Sequence, residues 1–244
     1  MKYWRTVLLG LVSVTAIVVA LWLAPMPQDP AYHLFADQRA WFGLANFANV
    51  SSSLLFLAVG AFGLSRCARQ SHPRTAYIVF CLGLLLVGVG SAYYHLAPST
   101  ARLVWDRLPM SIALMALFSM LLSDRISQQG GWLALWPLVL SGLASVGYWY
   151  GSELQGRGDL RAYAVIQFLP MLLIPMMLLL YRSRRLSTPW LWAMWATYAL
   201  SKIAEHFDQA IFDATRIISG HSIKHGLACV AGLWVIFAVR MRRH

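Results

Sequence analysis

Apolar residues fall in blocks along this chain, separated by short polar segments. Each block is close to the roughly twenty residues that a helix needs to cross the hydrocarbon of a bilayer. Eight blocks read as spans, over approximately 5–24, 44–64, 76–95, 107–123, 132–150, 162–181, 190–212 and 221–239. The fourth opens beside Asp106 and Arg107. The seventh is interrupted by Lys202, Glu205, His206 and Asp208. Between the blocks, residues 25–40 and the Gly-rich, charged stretch 151–161 read as loops. No internal repeat or soluble appendage stands out. The pattern predicts an all-α, polytopic membrane helical bundle. The first block begins beside Lys2 and Arg5 and could instead be a signal peptide. Its apolar run of about 18 residues is longer than the usual h-region of roughly 7–15, so a retained helix is expected.

Composition agrees with that pattern. Of the 244 residues, 59% are hydrophobic and 12% charged, about half the charged share of a soluble domain. The net charge of +11 comes with no basic, aromatic-interleaved module, which excludes a nucleic-acid partner and leaves basic loops flanking the spans. Placing both termini inside puts twelve Lys and Arg residues on the inner side and seven on the outer. The inside-positive bias and short loops suit a bacterial inner membrane with cytoplasmic termini. The cysteines Cys67, Cys81 and Cys229 form no CxxC pair, so neither a disulfide framework nor a thiolate zinc site is expected.

Ionisable groups at membrane depth are costly and therefore informative. Ser91 and His95, four apart, share one helix face at the end of the third span. Asp106 stands at the start of the fourth, where it could cap the helix or do chemistry. His221 and His225, again four apart, open the eighth and could bind one metal ion. In the orientation above, all of these fall near the outer ends of their helices and so share one layer. Three neutral histidines with an open fourth position describe a catalytic zinc site, although iron or copper also accept imidazoles. A nearby carboxylate can take a proton from water, and a hydroxyl can stabilise an oxyanion. The Lys202, Glu205, His206 and Asp208 cluster reads either as internal charge pairing or as a proton path. Asp208 and Asp213 stand close enough to the outer end to approach the metal layer.

Taken together, Gly90-Ser91-x-x-x-His95, Asp106-Arg107-Leu108-Pro109-Met110 and His221-x-x-x-His225 resemble the alkaline ceramidase family. That family belongs to a wider group of seven-span membrane hydrolases, which includes progestin-and-adipoQ-type receptors and Per1 lipid-remodelling proteins. Asn46–Ser53 looks like the start of the family's first core span, and Asp208 falls where the family has an Asp. The resemblance covers about 44–240. It implies a seven-helix core over 44–244, with 1–43 adding an extra transmembrane helix and an outside loop. It further implies one intramembrane Zn2+ on His95, His221 and His225, with Asp106 activating water and Ser91 supporting the oxyanion. The implied substrate is ceramide or a related lipid amide, cleaved to a fatty acid and a sphingoid-type amine. Two departures matter. Arg107 replaces the Glu that follows the family's Asp. Asn46 stands nearest the helix Glu of the family's calcium site, with Asp29 and Asp37 at a poor spacing, which puts Ca2+ in doubt. Rival readings are a zinc-containing lipid receptor, a proton-coupled transporter and an esterase on glycerolipids.

Overall fold

The computed structural model describes residues 3–67 and 74–239. Lys2, Arg69, Arg240, Arg242 and Arg243 of the basic count lie outside these. The described residues form helices and no strands: α1 (Trp4–Trp22), α2 (Phe47–Ser53), α3 (Leu55–Ser65), α4 (Arg74–Leu96), α5 (Thr100–Arg125), α6 (Gln128–Leu154), α7 (Arg161–Leu180), α8 (Thr188–His206), α9 (Asp208–Thr215) and α10 (Gly220–Ala238). With α2 and α3 taken as one stretch, seven helices among the described residues are long and apolar enough to cross a membrane. The chain is a multi-pass membrane protein. α8 matches the others in length, with 19 residues, but its second half carries Lys202 and Glu205 and it is not one of the seven.

The bundle buries Tyr77, Met115, Met120, Ile174, Leu191 and Ile236 at its centre. It turns large apolar side chains such as Leu86, Val89, Leu140 and Leu179 outward, as a surface facing lipid should. α4 packs on α5, α5 on α6, and α10 on α8. α1 stands at the edge against α7, and Leu9 is its one buried residue. Polar ties hold it there. The Thr6 and Tyr181 hydroxyls are 3.0 Å apart, and Arg161 Nη1 donates to the carbonyl of Leu21 at 2.8 Å.

Two helices depart from the apolar pattern. α5 starts at Thr100, two turns before the expected 107, because the Ser99 side chain caps it by accepting from the Arg102 amide. Asp106 therefore lies inside the helix and is not its cap. The expected span 190–212 breaks at Phe207 into α8 and the short α9. Asp208 opens α9 with its carboxylate turned across to α10, where Oδ1 accepts from the His221 amide at 2.7 Å.

Candidate metal centre and active site

Two glycines allow the helices to meet closely enough to build a site. A Cβ at Gly90 would sit 1.9 Å from the carbonyl oxygen of Trp105, so only glycine lets α4 reach α5 here. Pro109, inside α5, has no N–H to offer that carbonyl four residues back. The contact brings Ser91 to the same cavity wall as Asp106. At the start of α10, a Cβ at Gly220 would lie 2.1 Å from the carbonyl of Ala204. This close approach to the α8–α9 corner is what allows Asp208 to hold the His221 backbone.

His95, His221 and His225 converge, each offering a ring nitrogen, with these atoms all within 4.8 Å of one another. All three are buried. His95 Nε2 and His221 Nε2 face each other at 3.4 Å. Nitrogens bound to a tetrahedral zinc would be about 3.3 Å apart, given Zn–N bonds of roughly 2.0–2.1 Å. His225 Nδ1 lies 2.8 Å from the Ser52 hydroxyl, which leaves Nε2 as the nitrogen available to a metal. His95 Nδ1 is buried with no partner. Facing imidazole nitrogens need a shared proton or a shared cation. This donor set therefore fits a zinc ion, and among the described residues it is the one His, Cys, Asp or Glu cluster with that geometry.

The surroundings hold these rings in place. Asn46, at φ 50°, adopts the left-handed conformation that Asn tolerates, and its Nδ2 donates to the His95 carbonyl at 2.9 Å. Asn49 Oδ1 accepts from the Ser222 hydroxyl at 2.8 Å. The loop before α2 lies over the histidines, with the Phe35 ring 4.7 Å from His95 and 4.5 Å from His221 between centroids. His33 Nδ1 is 2.9 Å from the Tyr94 hydroxyl. Burial, with the Arg107 guanidinium adding to it, holds His33 below its usual range, so it is neutral at pH 7.

Asp106 is buried and borders the same cavity as Ser91, whose hydroxyl is 3.1 Å from that of Ser53. Ser91, Asp106 and His225 border one cavity, whose remaining wall is largely apolar, with Phe80, Leu117 and Val235 among its residues. Lys202 and Lys224 also reach it.

The structure thus brings together all five residues singled out in the sequence, Ser91, His95, Asp106, His221 and His225. It does not bring Asp208 or Asp213 to the histidine nitrogens. Asp208 binds the backbone amides of His221 and Ala36, and Asp213 pairs with Arg216 at the surface. Asp29 caps a 3-10 turn at Pro30–His33, and Asp37 pairs with Arg39. Within the charged cluster of α8, Lys202 pairs with Glu205 at 2.9 Å, and Lys224 joins the same carboxylate at 2.7 Å. Sequence reasoning counted Lys224 only as a basic loop residue and missed Phe35, Asn49 and Ser52. The one available signal was the polar run Asn49, Ser51, Ser52, Ser53 inside an otherwise apolar span.

A family model described as Ceramidase matches residues 41–207. That is more than half of the chain, and the chain belongs to the ceramidase family. The match takes in Ser91, His95 and Asp106 and ends before His221 and His225. No curated protein matches the chain significantly. The family and the membrane-spanning helices together define a ceramidase-like hydrolase in the class of multi-pass membrane proteins.

Proposed function

We propose that this chain is an intramembrane, zinc-dependent amidohydrolase that cleaves ceramide or a related lipid amide. The observation that carries this reading is the convergence of three histidine nitrogens from α4 and α10, one of them, His225, bordering the same largely apolar cavity as Asp106. His95, His221 and His225 would hold the ion. When bound, zinc supplies Lewis acidity to water and to the amide carbonyl. The rest falls to the chain itself. The apolar walls take the acyl chain and keep bulk water out. Asp106 accepts a proton from water as its oxygen bonds to the carbonyl carbon. Ser91, beside Asp106, donates to the carbonyl oxygen as negative charge develops there. Asp106 then returns the proton to nitrogen as the C–N bond breaks, giving a fatty acid and a free amine. Ser52 orients His225, and Asp208 fixes the backbone of His221. By the excess of basic residues on the other side, the site opens toward the outer face of the membrane.

Metal analysis of detergent-purified protein tests this directly. About one zinc per chain is expected, and its loss in His95→Ala. Asp106→Asn should keep the metal and lower the turnover of a lipid amide by about 10²–10⁴-fold. A chain that takes up no transition metal, even after reconstitution with zinc, would sink the reading. Unchanged activity in Asp106→Asn would remove Asp106 from it.

A further inference from the structure

Arg107, Lys202, Glu205 and Lys224 cluster beside the histidines, and the hydrolysis above uses none of them. Three are cations and one is an anion. Glu205 takes both lysines, so two positive charges share one negative. Both lysines border the cavity along with Asp106 and His225. Arg107 is 6% exposed and has no carboxylate partner among the described residues. Its Nη2 donates to a neutral acceptor, Gln28 Oε1, at 2.7 Å, and its Nη1 is buried with no hydrogen-bond partner. The guanidinium lies 4.1 Å from the ring centroid of Trp149, 4.8 Å from Tyr163 and 5.6 Å from Tyr32. Tyr163 belongs to the cavity wall, and the Tyr32 hydroxyl donates to Glu205 at 3.3 Å. Arginine and lysines therefore surround the same two tyrosines.

A buried cation without a counter-charge is destabilising, and a buried N–H without an acceptor adds to the cost. The aromatic rings attract the guanidinium but offer no lone pair to Nη1. Even with Asp106 ionised, the group holds three positive charges against two negative. An oxyanion from outside would balance the charge and satisfy the arginine, whose planar fork matches carboxylate, sulfonate or phosphate oxygens. Because the Arg107 guanidinium packs on Tyr163, a wall residue of the cavity that Asp106 also borders, such an anion would lie close to the scissile amide.

We propose, resting on the hydrolase reading above, that the amine side of the substrate carries an oxyanion and that Arg107, with Lys202 and Lys224, selects it. The preferred substrate class is then an anionic lipid amide, such as an N-acyl amino acid, in preference to a neutral ceramide. Arg107 is the specificity-determining residue.

N-palmitoylglycine and N-palmitoylglycinamide are nearly equal in size and differ in charge. With the zinc-loaded protein in detergent, kcat/KM should favour the acid by at least about tenfold, and Arg107→Gln should bring the ratio to within about threefold. Arg107→Lys keeps the charge and should retain most of the preference. N-palmitoyltaurine and the phosphate ester of N-palmitoylethanolamine show which oxyanion fits best. Binding is read separately, by calorimetric titration of the zinc-loaded Asp106→Asn protein with and without Arg107→Gln. Turnover of both palmitoyl amides at equal rates, or of ceramide faster than either, overturns the proposal and leaves the hydrolase standing. Charge-selective binding with no turnover of any amide, even in the parent protein, overturns the hydrolase reading and supports Arg107 as an anion site. Equal binding of acid and amide without turnover overturns both.

Discussion

α5 carries the dipeptide Asp-Arg twice, at 106–107 and at 124–125, and all four side chains are buried. The two copies are separated by five helical turns, so they fall on the same face, about 27 Å apart. Their surroundings differ completely. At the far end, Asp124 Oδ1 accepts from the amides of Arg184, Arg185 and Leu186 at 3.1, 2.6 and 3.1 Å. Oδ2 accepts from the Ser183 hydroxyl and lies 3.0 Å from Arg125 Nε, close enough for an ion pair although not aligned for a hydrogen bond. Arg125 completes the arrangement by donating to the Tyr181 carbonyl and to the Thr188 hydroxyl. Acid and base pair with each other, and the turn between α7 and α8 supplies nearly everything else. At the site end, Asp106 faces a cavity that Ser91 also borders, while Arg107 lies among aromatic rings with Nη1 unmatched. Burial and residue type are the same in both places. What separates the two is whether the chain itself fills the remaining hydrogen-bonding positions.

The comparison predicts opposite effects for the two aspartates. Asp124→Ala leaves Arg125 buried without its counter-charge and leaves three amides of the α7–α8 turn without acceptors. It should destabilise the protein by about 3–5 kcal/mol. The measurement is the thermal midpoint in detergent, with turnover per folded molecule expected to stay at the parent value. Asp106→Asn is the mirror case, with activity lost and midpoint kept. If Asp124→Ala abolished turnover without moving the midpoint, the division between the two ends would fail.

A smaller effect tests how the site end is supported. The Ser52 hydroxyl donates to the Asn49 carbonyl at 3.2 Å and meets His225 at Nδ1, the nitrogen not left for a metal. Ser52→Ala should weaken zinc by about 10–100-fold, through a ring free to reorient, and should do little to the midpoint of the metal-loaded protein. Competition against a chelator of known affinity measures it. A zinc affinity equal to the parent's would show that packing, with the Phe56 ring 6.2 Å away between centroids, is enough to orient His225.

How much of this was legible before folding depends on what a linear pattern records. The i,i+4 pairs Ser91–His95 and His221–His225 fix one helix face each, and their positions near block ends fix depth. The layer shared by the histidines was therefore readable. The start of α5 was not. Its first turn looks polar because it contains Thr100 and Arg102, and the Ser99 cap that licenses it is one hydroxyl among several. Nor could the pattern assign direction around each helix axis. Lys224 sits between two histidines in sequence, but its carboxylate partner is nineteen residues away, on the neighbouring α8. Phe35 reaches the site from a loop with no periodicity at all. The break at Phe207 was marked only by the polar run that interrupts the span, and that run could equally have been a proton path through an unbroken helix.

A third Asp–Arg pair lies between the two extremes and gives the smallest expected effect. Asp37 is buried at 2% exposure, while the Arg39 side chain is 41% exposed. Arg39 Nε and Nη2 grip the two carboxylate oxygens at 2.8 Å each, and its remaining N–H groups reach the carbonyls of Arg216 and Ile217. The pair ties the loop that carries Phe35 to the turn before α10. Hydrogen bonds from Arg39 hold the Asp37 carboxyl below the usual carboxylate range. A folded-state pKa below the unfolded value, about 3.9, means that the brace is fully present above that pH. Its contribution is lost as pH falls through the folded value. Asp37→Asn should therefore lower the thermal midpoint slightly at pH 7. The gap to the parent should stay constant from there up through mild alkali and close below about pH 4. Exposure of Arg39 also means that high salt should narrow the gap at neutral pH. A gap that persisted in acid would show that the side-chain contacts of Asp37, and not its charge, hold the loop over the histidines. The pair would then belong with packing, unlike the charge-paired far end of α5.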